Sequence, residues 1–180
     1  MLMTVEELRR YMASEEEDQV LADRLQALEL QIRGYTNNDF TVQHTGRLAT
    51  IADGVITLNA AADYAPGDTV QLSGVRNNGL YTIVTATETA LTVKEEVFDD
   101  FYSYVAKVKY PMDVKLGAVN LLKWESANRD KAGVASESIS RHSVTYADQT
   151  EENTVLGYPV MLTGFLKPYM KARFGRGVDL

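Results

Sequence analysis

The chain has 180 residues, 45% of them hydrophobic and 24% charged, which is ordinary globular composition, so disorder is not the default. It holds no cysteine, which excludes a disulfide framework, a thiolate zinc site and a cysteine nucleophile. A formal charge of −7 and a pI of about 4.9 disfavour nucleic acid as the main partner, because duplex affinity rests on Lys and Arg neutralising phosphates.

The opening MLMTVEELRRYM lacks the apolar core and cleavage site of a signal peptide, and no run approaches the roughly 20 apolar residues of a membrane helix. The expectation is a protein made and assembled in the cytoplasm, with no membrane partner. Thr4 with Glu7, and Ser14 with Glu17, have capping-box spacing, so helices are expected over Val5 to Met12 and from Ser14. In the second helix Leu21, Leu25, Leu28, Ile32 and Tyr35 recur on one face, with Asp23, Arg24, Glu29 and Arg33 mostly elsewhere. Gly34 and the TNND cluster are expected to end it.

From Phe40 the period becomes two. Asp53-Gly54 suits a two-residue type I′ hairpin turn, which places Ile51 opposite Ile56. TVQLSG puts Val70 and Leu72 on one face, Asn78-Gly79 reads as a second hairpin turn, and Leu91 with Val93 marks another strand. KEEVFDDFYSY reads as an exposed loop or edge strand guarded by its charge, with a subunit contact as its functional alternative. With Tyr104 to Val108 closing the sheet, these short strands predict a small antiparallel β-barrel.

Helical spacing returns after Pro111, and Met112, Leu116, Val119 and Leu122 predict a helix to Asn128, packed on the second helix. The fold class is therefore α+β: a small helical bundle of residues 1–40 and 109–180, with a barrel inserted at 41–108. Residues 134–147 read as a strand or arm. His142, Val144 and Tyr146 share a face, and a turn or bulge near Ser140 is needed to bring Ile139 into phase. A final short helix from Pro159 carries Leu162, Phe165, Leu166 and Tyr169, weakened at Gly164 and Pro168.

Charge is uneven along the chain. Residues 1–40 hold nine acidic and four basic side chains, whereas 167–180 hold Lys167, Lys171, Arg173 and Arg176 against Asp179 alone. An acidic body with a basic end suits contacts between complementary surfaces.

No catalytic, metal or cofactor pattern emerges. His44 and His142 stand on different elements, the acidic run Glu15 to Asp18 suits a helix start, and neither a phosphate-loop string nor G-x-S-x-G occurs.

Taken in order, TVEELRRYM, DRLQALELQIRGYTNNDF, DVKLGAVNLLKWESANRD, SESI followed by SVTY, and YP followed by LKPY and RF resemble one family. It is the head-tail connector (adaptor or head-completion) family of long-tailed bacteriophages. Ser140 departs from the Gly common in that family, and its shortest members lack the barrel.

The resemblance implies a homo-oligomeric ring, a dodecamer, at the portal vertex of the virion. This ring meets the portal protein and a head-closure, stopper or tail protein, and DNA passes through it without specific binding. It implies subunit contacts through Ile139, His142, Val144 and Tyr146. It implies portal binding through Phe165, Leu166, Lys167, Tyr169, Lys171, Arg173, Phe174 and Arg176. The alternative is another phage neck or tail module that uses its barrel to hold a tail, decoration or host component.

Overall fold

A computed structural model describes residues 1–128, 136–139, 142–145 and 154–172. The change of periodicity along the chain corresponds to two compact units, residues 1–2 with 38–110 and residues 3–37 with 111–180.

The first unit is a closed barrel. Its strands are β1 (Arg47–Ala52), β2 (Val55–Leu58), β3 (Thr69–Gly74), β4 (Asn78–Ala86), β5 (Ala90–Val93) and β6 (Asp100–Lys107). They close in the order β1-β2-β5-β4-β3-β6, with every neighbour antiparallel. The first hairpin follows its sequence signal: Ile51 pairs with Ile56, and Asp53 and Gly54 both take positive φ, 53° and 76°. Alternation then fills the interior with Ile51, Ile56, Val70, Leu72, Ile83, Leu91 and Val105. Each such side chain taken fully from water contributes about 1.5–3 kcal/mol. Tyr64 joins this core and donates its O–H to the carbonyls of Thr45 and Val105 at 2.8 and 3.2 Å.

Two readings of this region are corrected. Asn78-Gly79 is not a turn, because both residues pair within β4, opposite Ser73 and Leu72, and the chain reverses at Val75–Asn77 instead. The reversal is closed by the Gly74 N–H on the Asn77 carbonyl at 2.8 Å. FYSY is not an edge at Ser103 and Tyr104, which pair with both β1 and β3, whereas Phe101 and Tyr102 stand beyond the end of β3; residues 94–99 form a loop.

The helical unit begins with α1 (Val5–Arg9), where the Thr4 side chain accepts the Glu7 N–H. This helix is shorter than its sequence suggests, although the N–H groups of Tyr11 and Met12 still bond to the Leu8 carbonyl. Helix α2 (Asp18–Thr36) starts after Glu17 with no side-chain cap. Ser14 instead accepts the N–H of Glu16, while the Arg9 guanidinium takes the carbonyls of Ser14 and Glu16 and the carboxylate of Asp18. These bonds hold the linker in a non-helical shape. Leu21, Leu25, Leu28 and Ile32 are buried as their spacing predicts, and Glu29 is buried with them. Asn37, in the left-handed region at φ 49°, ends α2, so Gly34 lies inside the helix.

Helix α3 (Met112–Asn128) has the predicted bounds, but its buried face is shifted. Val114, Gly117, Ala118, Val119, Leu121 and Leu122 are buried, so Val119 and Leu122 lie where the spacing puts them, whereas Met112 and Leu116 are exposed. Gly117 shifts the face, because it admits the ring of Phe165 against the helix. The expected packing of α3 on α2 is mediated by other groups. Arg24 on α2 pairs with Glu125 of α3 at 3.2 Å and with Glu16 at 2.7 Å. The C-terminal element packs on both helices.

Strands β7 (Ser136–Ile139) and β8 (His142–Thr145) form a hairpin in which Ile139 pairs with His142 and Glu137 with Val144. Ser140, where a turn or bulge is expected, lies outside the described residues. The small pair β9 (Thr154–Val155) and β10 (Tyr158–Pro159) leads into α4 (Val160–Thr163) and a 3-10 segment over Gly164–Tyr169 that contains Pro168. Among the described residues no helix is long and apolar enough to cross a membrane.

Candidate binding surface at the barrel tip

The antiparallel order puts three connections at one end of the barrel: Asp53-Gly54, Val75–Asn77 and the loop 94–99. The chain enters β1 at Arg47 and leaves β6 at Lys107 at the opposite end. Hydrogen bonds tie the three connections into one piece. The Asp53 N–H donates to the Asp99 carboxylate at 3.1 Å. Asn77 is buried, and its side-chain amide donates to the Phe98 carbonyl at 2.8 Å and accepts the Phe98 N–H at 2.9 Å. In this way a side chain supplies the two bonds that a ladder partner would supply.

Asp100, also buried, is the hub. Its Oδ2 accepts the N–H groups of Val75 and Arg76 at 3.1 and 3.2 Å, and its Oδ1 accepts the Tyr102 N–H at 3.2 Å. These donors, those of Arg76 and Tyr102 foremost, hold its carboxyl below the ordinary value of 3.8. Gly74 is required beside it: a Cβ there would lie 2.5 Å from Ser103 Oγ and 2.6 Å from Asp100 Oδ2.

The Tyr102 contact coincides with a break in register. Ala49 pairs with Ser103 and Ile51 with Asp100, so Phe101 and Tyr102 together oppose Thr50 alone. This β-bulge cancels the alternation for one step and turns two successive aromatic rings outward. Phe101 is 91% exposed and Tyr102 71%, next to a tip where Val75 is 90% and Phe98 54% exposed. The connections that form the tip carry the exposed carboxylates Asp53, Glu96 and Asp99 against the cation Arg76, while Glu95 turns its carboxylate to the Thr82 N–H at 2.7 Å. A pinned, apolar surface of this kind with an acidic rim is built for contact, because little ordering entropy remains to oppose binding.

The residues expected to bind from the sequence lie outside the barrel, in the helical unit and the C-terminal hairpin. Leu166 is fully buried. Phe165 lies against Gly117, and the Tyr169 O–H donates to the Asp113 carboxylate at 2.8 Å, which raises the phenol pKa. The Lys171 N–H donates to the Thr36 carbonyl at 2.8 Å. These contacts anchor the segment within its own unit and leave the exposed side chains of Lys167 and Lys171 at the surface. Ile139, His142 and Val144 lie on the two strands of the β7–β8 hairpin. Tyr146, Arg173, Phe174 and Arg176 lie outside the described residues.

Sequence reading missed the tip. Its available signal was FDDFYSY, where adjacent aromatics in a strand cannot both face a barrel interior, and an Asp directly before them can cap the displaced amides. Among the described residues no group of three or more His, Asp or Glu side chains is placed to hold a metal ion. No protein-family model matches this chain, and no curated protein is a significant match to it.

Proposed function

We propose that this protein is a structural component of a phage neck, a subunit of the connector ring that joins a tailed phage head to its tail. One observation carries the reading. The stretches TVEELRRYM, DRLQALELQIRGYTN, DVKLGAVNLLKWESANRD and YPVMLTGFLKPY lie on both sides of a long insertion, yet all belong to one compact unit. Such a unit is what the connector family would preserve, with the barrel added to it. A subunit of this kind acts by presenting surfaces, and the exposed apolar side chains of Met112, Leu116 and Met161 on the helical unit fit burial in an assembly.

The tip favours a second element of the reading, in which the barrel is itself a binding module within the neck. Its pinned bulge and acidic rim support that role. Electron microscopy of assembled particles tests the proposal. A ring of this chain between portal and tail is the expected result, and a neck ring without its density overturns it.

A further inference from the structure

We infer that the acidic, aromatic tip of the barrel is the docking site for the basic C-terminal segment of a neighbouring copy of this chain. The inference rests on the ring reading, which sets copies side by side. Two independent features meet in it. The tip offers Phe98, Phe101 and Tyr102 to apolar or cationic side chains within a rim that has more carboxylates than cations. Between Glu152 and Asp179 the chain has no acidic residue, and that stretch carries Lys167, Lys171, Arg173 and Arg176. No other stretch of comparable length in this acidic chain is so one-sidedly basic.

Chemistry also matches at the level of single groups. Met170 is half exposed, and Phe174 follows among the cations, so the segment alternates apolar anchors with positive charge. The tip alternates in the opposite sense, with aromatics between carboxylates. A rigid receptor and a short charged ligand give contacts that form fast and weaken with salt. This gives the basic run a partner inside the ring, whereas the sequence expectation gave it to the portal.

The test is photo-cross-linking with the full-length chain. Benzoylphenylalanine is placed at position 101, where the side chain is almost wholly exposed, and this protein is mixed with an equal amount of heavy-isotope chain. Cross-links from position 101 into residues 165–180 of the heavy copy are expected. Lys171→Glu with Arg173→Glu should cut their yield about fivefold or more, and Glu96→Lys, which leaves the bonds that pin the tip in place, should restore part of it.

Cross-links confined to the same copy, cross-links to other regions, or a yield indifferent to charge reversal each overturn the inference. Circular dichroism of every variant separates loss of contact from loss of fold. A neck ring seen by microscopy together with failed cross-linking removes only this inference, whereas absence of the chain from the neck removes the ring reading.

Discussion

Asp100 accepts the backbone N–H of Tyr102, two residues along its own strand, at 3.2 Å, and the same carboxylate holds the turn at Val75 and Arg76. Bulge and turn therefore stand or fall together. Asp100→Ala should lower the melting temperature and speed amide exchange selectively at Val75, Arg76 and Tyr102, a pattern readable by NMR. The pH dependence has a definite sign. The folded-state pKa lies below 3.8, so this stabilisation is present above 3.8 and is lost as pH falls through the lower folded value. The difference in stability between wild type and Asp100→Asn should accordingly shrink only in strong acid.

Two glycines should respond to alanine with opposite signs. Gly54 sits at φ 76° in the β1–β2 turn, where a Cβ is strained, so Gly54→Ala should destabilise by about 1 kcal/mol. Gly34 lies inside α2 with nothing within 4 Å of an added Cβ, and Gly34→Ala should stabilise by about 0.5–1 kcal/mol. Denaturant midpoints of the two variants check both.

A Cβ on Gly117 would lie 2.5 Å from the ring of Phe165. Gly117→Ala should therefore push out the C-terminal segment and cost about 1–3 kcal/mol. Combining it with Phe165→Leu should recover part of that loss, and the coupling in a double-mutant cycle measures how much of the cost is this contact.

Burial raises the Tyr64 phenol to about 12, from an ordinary value of 10.0. The folded state thus keeps a proton that the unfolded chain releases, so its contribution is complete below 10.0 and declines as pH rises towards about 12. Tyr158, raised to about 12 by burial first and by Glu125 next, declines over the same window. Tyr64→Phe should cost about 1 kcal/mol at neutral pH through its lost hydrogen bonds. It should also flatten part, not all, of the alkaline limb of a stability-pH curve.

Much of the fold was legible because local signals agreed with burial. Asp53-Gly54 sets its hairpin, Leu21 to Ile32 set the face of α2, and Pro111 with the spacing after it bounds α3. The misreadings share a cause. Asn78-Gly79 has turn chemistry but lies in a strand, because Asn77, one residue earlier, is held by Phe98 and fixes the reversal there. On α3, Met112 and Leu116 are more apolar than Gly117, yet close approach of Phe165 shifts the buried face, and periodicity in hydrophobicity does not register close approach. The tip was least legible. A bulge depends on where one extra residue is absorbed, and that is settled by Asp100 bonding across to Val75 and Arg76, distant in sequence.

Closure of the barrel bears on how this protein can diverge. From Ser103 to Val105 β6 is paired on both flanks, so its backbone there is committed to the ladder, and Phe101 and Tyr102 meet a partner chiefly through their exposed rings. Phe101, Tyr102, Val75 and Glu96 can then be exchanged one at a time with little effect on folding, while Asp100, Asn77 and Gly74 stay fixed beneath them. Related chains with different neighbours should vary most at the first set and least at the second, so that specificity drifts on a scaffold that does not.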